Sequence, residues 1–259
     1  MSDNNHSGFL GAVREALGHP RDGQRQPPPG LFPNQASKKS RRALERIRTR
    51  GHSERQGLMD ALMDAAKPIS LDVRFADSPA DAAMAIAEGI VASPVEWGGP
   101  RKVCTWDHPL IDSLALGSIL AERDIPVITP ATVIPATGDQ VSPDQKQRLR
   151  QGITDSFVGV TGADFCVAET ATLVLRTGRG QPRSVSLVPS IHIAVITADQ
   201  ILKNFEELYA VLRWGNSGSS MDLTTCMTFI TGPSKTADIE ATLVHGAHGP
   251  KAVWLYIIR

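Results

Sequence analysis

Short runs of β-branched and other apolar residues alternate along this chain with helical patterns that open on a capping residue followed by proline. Ser78-Pro79 begins one such helix through Ala82, Ala83, Ile86 and Ile90, and Ser142-Pro143 begins another to about Asp155. A serine can cap the first free N–H groups, and proline suits the first helical position, so both starts are specified locally. Strand-like runs lie between: Leu71 to Phe75, Lys102 to Trp106, Ile125 to Thr129, Ser190 to Ile196, Thr225 to Ile230 and Ala252 to Ile258. Strands that alternate with helices need crossover connections, which predicts a mainly parallel, twisted sheet with helices on both faces. Helices are expected over Asp112 to Glu122 and Ala198 to Leu212. A hairpin is expected around Thr177-Gly178-Arg179-Gly180, within a helix-free run from Phe165 to Leu187.

Residues 1–67 read differently, as a helical and Pro-rich extension to an α/β domain over 68–259. Phe9, Leu10, Val13 and Leu17 fall at helical spacing, and Pro20, Pro27, Pro28, Pro29 and Pro33 mark an extended arm. From Lys38 to Arg50 there are seven basic residues against one acid, Glu45. A solvated helix with Leu44 and Ile47 turned inward accounts for them. No aromatic residues interleave with the charges to stack bases, so nucleic acid is not favoured as a partner. The 27 basic and 27 acidic residues cancel. No apolar run is long enough to span a membrane and no signal peptide is visible, so a cytoplasmic protein is expected.

Two Gly-rich turns that follow apolar runs hold the candidate chemistry. The first is Val160-Thr161-Gly162-Ala163-Asp164, leading to Glu169-Thr170-Ala171-Thr172; the second is Ile230-Thr231-Gly232-Pro233-Ser234-Lys235-Thr236. A strand ending in Gly, small hydroxyl residues and Lys can offer N–H groups and positive charge to an anion, which suggests a ligand site at the carboxyl edge of the sheet. Glu169, if partly buried, can act as a general base or nucleophile, or serve as a hydrogen-bonded strand-end carboxylate. Asp164 can be a turn residue, and Gly232 to Lys235 a structural turn. His192, between Ile191 and Ile193, either points into a cleft or is a satisfied strand histidine. The candidate ligand-binding residues are therefore Thr161, Gly162, Asp164, Thr170, His192, Gly232, Ser234, Lys235 and Thr236. His245, His248 and His192 have no carboxylate or Cys at ligand spacing, so no metal site is expected. Cys104, Cys166 and Cys226 are far apart in sequence and form no Cys-x-x-Cys, so no cluster is expected on this chain.

Several ordered segments resemble the LUD domain of the lactate utilisation protein C (LutC/YkgG) family. They are Val160 to Asp164, Val167 to Leu175, Ser186 to Val195, Ile230 to Glu240 and Gly246 to Pro250. The resemblance implies a fold like that of ribose-phosphate isomerase, glucosamine-phosphate deaminase and CoA transferases (NagB/RpiA/CoA-transferase-like). It implies a part in oxidising L-lactate to pyruvate, with iron–sulfur clusters carried by partner proteins, a small carboxylate or phosphate-containing ligand and a possible homo-oligomer. The alternative is a stand-alone enzyme on a phosphorylated or CoA-linked substrate, with Glu169 as nucleophile or base. The chain departs from the family pattern at Ala171, where Gly is usual; a methyl group there would narrow a ligand's approach to the backbone.

Overall fold

The computed structural model describes residues 3–20, 35–95, 99–133, 141–215, 226–237 and 243–259. Most of the Pro-rich arm lies outside them. The chain divides into two compact units, Met1–Ser37 and Lys38–Arg259. The first holds helix α1 (Asp3–Ala16), along which Phe9, Leu10 and Val13 are exposed, as is Leu17 just after it. In the second, α2 (Lys38–Thr49) and α3 (His52–Ile69) precede strand β1 (Leu71–Ala76), so residues 38–67 of the expected extension pack within this unit.

The order then runs α4 (Pro79–Ala92), β2 (Val103–Thr105), α5 (Pro109–Asp112), α6 (Leu116–Ala121), β3 (Val127–Ile128), α7 (Pro130–Val133) and α8 (Pro143–Thr154). It continues through β4 (Val158–Gly162), β5 (Phe165–Val167), β6 (Thr172–Arg176), α9 (Ser184–Leu187), β7 (Ile191–Thr197), β8 (Ile201–Leu202) and α10 (Phe205–Trp214). Strands β9 (Met227–Ile230), β10 (Lys235–Ala237), β11 (Leu243–His245) and β12 (Ala252–Ile258) complete it. Six strands in the order β1-β12-β7-β4-β2-β3, all parallel, make the main sheet, and the mixed α/β class read from the sequence is the class observed.

Both faces of this sheet are covered, which is why β7 is apolar at almost every position. Ile191, Ile193 and Val195 pack with Ile86, Ile90 and Leu120 under α4 and α6. Ala194 and Ile196 point the other way, toward Leu58 and Leu62 of α3. On that second face lies a four-stranded sheet in the order β8-β5-β6-β9, which the sequence reading missed. Its own alternation explains the layering: Cys166, Leu173, Leu175 and Ile201 face the main sheet, while Val167, Val174 and Leu202 meet Leu208 of α10. Ile47 of α2 joins this outer cluster, and Leu44 of α2 is half-buried.

Three local expectations are corrected. The helix from Ala198 is instead a 3₁₀ turn, the short strand β8, and then α10, which starts at the Asn204 cap (Oδ1 accepts from Glu207 N–H, 3.1 Å). Ile201 and Leu202 fit a helical spacing equally well, but pairing with Cys166 and Val167 holds them extended. The segment Asp112 to Glu122 breaks at Ala115, whose φ of 48° separates α5 from α6. The turn expected around Thr177 to Gly180 is present, closed by an antiparallel bridge between Gly178 and Gln181 (Gln181 N–H to the Gly178 carbonyl, 3.0 Å). A second hairpin, β5–β6, turns at Ala168 to Ala171, and Ser184–Leu187 is helical where no helix was expected.

Candidate functional site

In a parallel α/β sheet the ligand crevice lies outside the carboxyl ends of the strands, where the strand order reverses. Here β2 connects outward to β3, and the next strand, β4, lies on the other side of β2. The reversal therefore falls between β2 and β4, beyond Thr105 and Gly162. Leaving β2, the chain reads Trp106, Asp107, His108. Trp106 N–H extends the ladder to the Val160 carbonyl (3.0 Å), and its indole N–H reaches the Pro182 carbonyl (2.9 Å). Asp107 N–H donates to the Gly180 carbonyl (3.0 Å). Gly180 has a φ of +75°, and a Cβ there would sit 2.7 Å from Asp107 Oδ2, so this contact needs glycine. Gly162, one of the predicted residues, packs on His108 less tightly: a Cβ on it would lie 3.2 Å from the imidazole.

The Asp107 carboxylate accepts from Ala131 N–H (3.2 Å) and faces a crevice of about 670 Å³. Asp112, Thr129, Leu149, Arg179 and Gly180 also line it. Burial pushes the Asp107 carboxyl above its ordinary range, and the nearby Asp112 charge adds to this. The Ala131 N–H and the Thr129 hydroxyl pull it back in part. His108 is turned to a structural task, its Nδ1 accepting from Leu110 N–H (3.2 Å). A carboxylate that holds its proton more readily than usual, opposite an exposed guanidinium, can take a ligand carrying both a hydroxyl and an anionic group. Sequence reasoning missed Asp107 because its signal, a carboxylate directly after a strand, becomes meaningful only with the strand order.

The residues predicted from sequence fall in four places. Thr161 and His192 meet inside the sheet layer, fully buried, with Oγ1 and Nε2 2.8 Å apart. Burial lowers the His192 imidazole to about 3, and among the described residues its Nδ1 has no hydrogen-bond partner. Gly162 and Asp164 lie at the carboxyl edge. There Asp164 is a turn residue: its carboxylate accepts from Arg176 N–H and Nε, each at 2.7 Å. Glu169 is exposed on the β5–β6 turn, not partly buried, beside the exposed Thr170. Thr170 Oγ1 is 2.8 Å from Thr172 Oγ1, which is in turn 2.8 Å from Thr231 Oγ1.

Gly232, Ser234, Lys235 and Thr236 sit at the opposite, amino edge of the main sheet, which corrects the expected placement. Ser234 N–H donates to the Pro250 carbonyl (2.8 Å) just before β12, and a Cβ on Gly232 would lie 2.6 Å from the Ile69 carbonyl just before β1. Lys235 Nζ donates to Ser70 Oγ (3.0 Å) and to the Ile69 carbonyl (3.3 Å). Its charge thus meets the negative end of α3. Ala171 has a φ of 48° and is fully buried, so the family's usual glycine answers a left-handed backbone at this position.

Cys104 and Cys166 are buried among apolar side chains, and burial pushes each thiol up to about 12. Cluster ligands are thiolates, so these two residues do not fit iron–sulfur ligation. Among the described residues no group of three or more His, Cys, Asp and Glu is placed to hold a metal. No described helix is long and apolar enough to cross a membrane.

Six parallel strands flanked by helices, with a second sheet on one face and a crevice beyond the carboxyl ends of β2 and β3, define a mixed α/β domain, and the LUD domain model matches residues 59–258. The chain belongs to the LUD domain family. It is similar to a Lactate utilization protein C of Halalkalibacterium halodurans, 33% identical over 63% of this chain and 65% of that one. A protein of the same name from Geobacillus is 32% identical over 62% and 63%. These two matches thus span just under two-thirds of the relatives' length. A third, from Shouchella clausii, is 28% identical over 98% of this chain and 97% of the relative. A crystal structure of a DUF162 family protein from Deinococcus radiodurans aligns at 19% identity with a TM-score of 0.48, over 79% of this chain and 98% of that one.

Proposed function

We propose that this chain is the component of an L-lactate utilisation system that holds a small hydroxylated carboxylate and carries no redox centre. In this reading L-lactate loses two electrons and two protons to become pyruvate, and the electrons leave through iron–sulfur partner proteins in the cytoplasm. The observation that carries it is the similarity, over 98% of the chain, to a relative named Lactate utilization protein C. The site reading rests on the crevice. Arg179 can grip the ligand carboxylate, and Asp107 can accept the hydroxyl proton. The burial that pushes the Asp107 carboxyl upward suits it to exchange a proton.

Deleting the gene in a strain without a second copy should abolish growth on L-lactate, and the tagged chain at native levels should bring down iron. Unchanged growth refutes the role. For the crevice, L-lactate at a hundredfold over its Kd should stabilise the fold by about 2.7 kcal/mol. Asp107→Asn and Arg179→Ala should remove that thermal shift. If wild type and both variants shift alike, the ligand binds elsewhere.

A further inference from the structure

Helix α2 carries Lys38, Arg42 and Arg46 at successive i, i+4 positions, which places them about 6 Å apart along one side. All three are exposed, and among the described residues none of their side chains has an ion-pair or hydrogen-bond partner. Like charges so spaced destabilise a helix, so the stripe is a cost to α2 taken alone. The three line a cavity of about 470 Å³ where α2 lies on α10, together with Lys39, Asn204 and Glu206.

The acids of that cavity are already engaged. Glu206 pairs with Lys39 (2.7 Å), and Glu207 is buried against Arg50 (2.8 Å). The amino end of α10 is engaged too, since Asn204 Oδ1 takes the Glu207 N–H and Glu207 Oε2 takes the Lys203 N–H. What the cavity offers a visitor is therefore side-chain cations on an open helix, which suits an extended anionic partner better than an enclosed small anion.

Helix α10, against which α2 packs, also carries an aromatic patch. Tyr209 lies one helical turn beyond Glu206 and is 61% exposed. The Phe205 ring centroid is 6.5 Å from Tyr209 and 6.1 Å from Phe229, which is itself 43% exposed on the edge strand β9. These rings tilt on one another rather than forming a row of open faces, which favours an apolar side chain over stacked bases. Exposed aromatics beside arginines are the usual composition of a protein-binding surface.

We propose that the α2–α10 face docks an acidic segment of a protein partner. Its carboxylates would lie along Lys38, Arg42 and Arg46, and an apolar side chain would seat against Tyr209 and Phe229. This goes beyond the lactate reading and does not rest on it.

The probe is a fluorescein-labelled helical peptide with Glu at three successive i, i+4 positions and Leu one turn on, followed by anisotropy. A matched Gln peptide and a single-stranded oligodeoxynucleotide are the comparison probes. The acidic peptide should bind, and should weaken about tenfold as salt rises from about 0.05 to 0.3 M. The combined variant Lys38→Glu, Arg42→Glu, Arg46→Glu should lose at least about tenfold, and Tyr209→Ala about fivefold. Arg148→Glu, an exposed charge reversal on α8, should bind as wild type does, with far-UV circular dichroism confirming that all variants fold. Equal binding of the Gln peptide, a triple variant that binds like wild type, or tighter binding of the oligonucleotide would each overturn the proposal.

Discussion

Arg50 and Glu207 form the ion pair from which the largest single-residue effect on stability is expected. Their side chains are 4% and 3% exposed. Arg50 Nη2 donates to both Glu207 oxygens at 2.8 Å, and Nη1 donates to the Ile201 carbonyl at 3.1 Å. The pair ties the corner between α2 and α3 to β8 and α10. Arg50→Met keeps the aliphatic stem but leaves the Glu207 carboxylate buried with, among the described residues, the Lys203 N–H (2.7 Å) as its remaining partner. An uncompensated buried charge of this kind costs about 3–5 kcal/mol. For a domain of this size that corresponds to a fall in Tm of roughly 6–20 °C, readable by calorimetry. Arg50→Met combined with Glu207→Met removes both charges and should return to within about 1 kcal/mol of wild type. Lys67 and Asp64, also paired at 2.8 Å but 72% and 76% exposed, provide the contrast: Lys67→Ala should leave Tm unchanged. The reasoning fails if Arg50→Met costs less than about 1 kcal/mol, as a surface pair would, or if the double variant is as unstable as the single one.

Burial holds the His192 imidazole at about 3, below its ordinary 6.5, so as pH falls the unfolded chain takes up the proton first. Stability from this group is complete above about pH 6.5 and declines toward pH 3, by up to about 1.4 kcal/mol per pH unit. Urea melts at pH 7 and pH 5 should show a smaller decline in His192→Gln, and parallel declines would refute the assignment. Ala171→Gly relieves about 1–2 kcal/mol of left-handed strain. It also gives up about 0.8 kcal/mol of methyl burial and about 0.4–1 of chain entropy, for a net change within about 1 kcal/mol. Ala171→Val adds bulk in a closed core and should lower stability by more than about 2 kcal/mol in the same melts. Native-state alkylation followed by mass spectrometry should modify Cys226 and spare Cys104 and Cys166, whose thiols burial has pushed up to about 12.

The elements that were legible in the sequence are those whose ends are written locally. Ser78 Oγ accepts from Asp81 N–H (3.1 Å), and Ser142 with Gln145 makes a reciprocal capping box, so α4 and α8 start where their residues say. Ile201 and Leu202 could not be placed this way, because their apolar pair serves a helix face or a strand equally well and a distant partner, β5, decides between them. The site was readable only in pieces. Gly162 and Asp164 do lie at the carboxyl edge, whereas Gly232 to Thr236 lie at the amino edge. A Gly-rich turn after an apolar strand looks the same from sequence at either end of a sheet. Only the direction of β1 and β12, against which that turn packs, tells the two ends apart.

The central pair of strands does not stop where the main sheet ends. β4 and β7 lie side by side there, and after short bends their continuations, β5 and β8, lie side by side again in the second sheet. The crease between them is stitched by Gln200, whose Nε2 donates to the Ala163 carbonyl (2.5 Å) and the Asp164 carbonyl (3.3 Å). The two sheets are thus joined as one folded ribbon, so opening one should open the other. Amide protons of Cys166 and Val167 should exchange in step with those of Val160 and Val195, as a single opening unit.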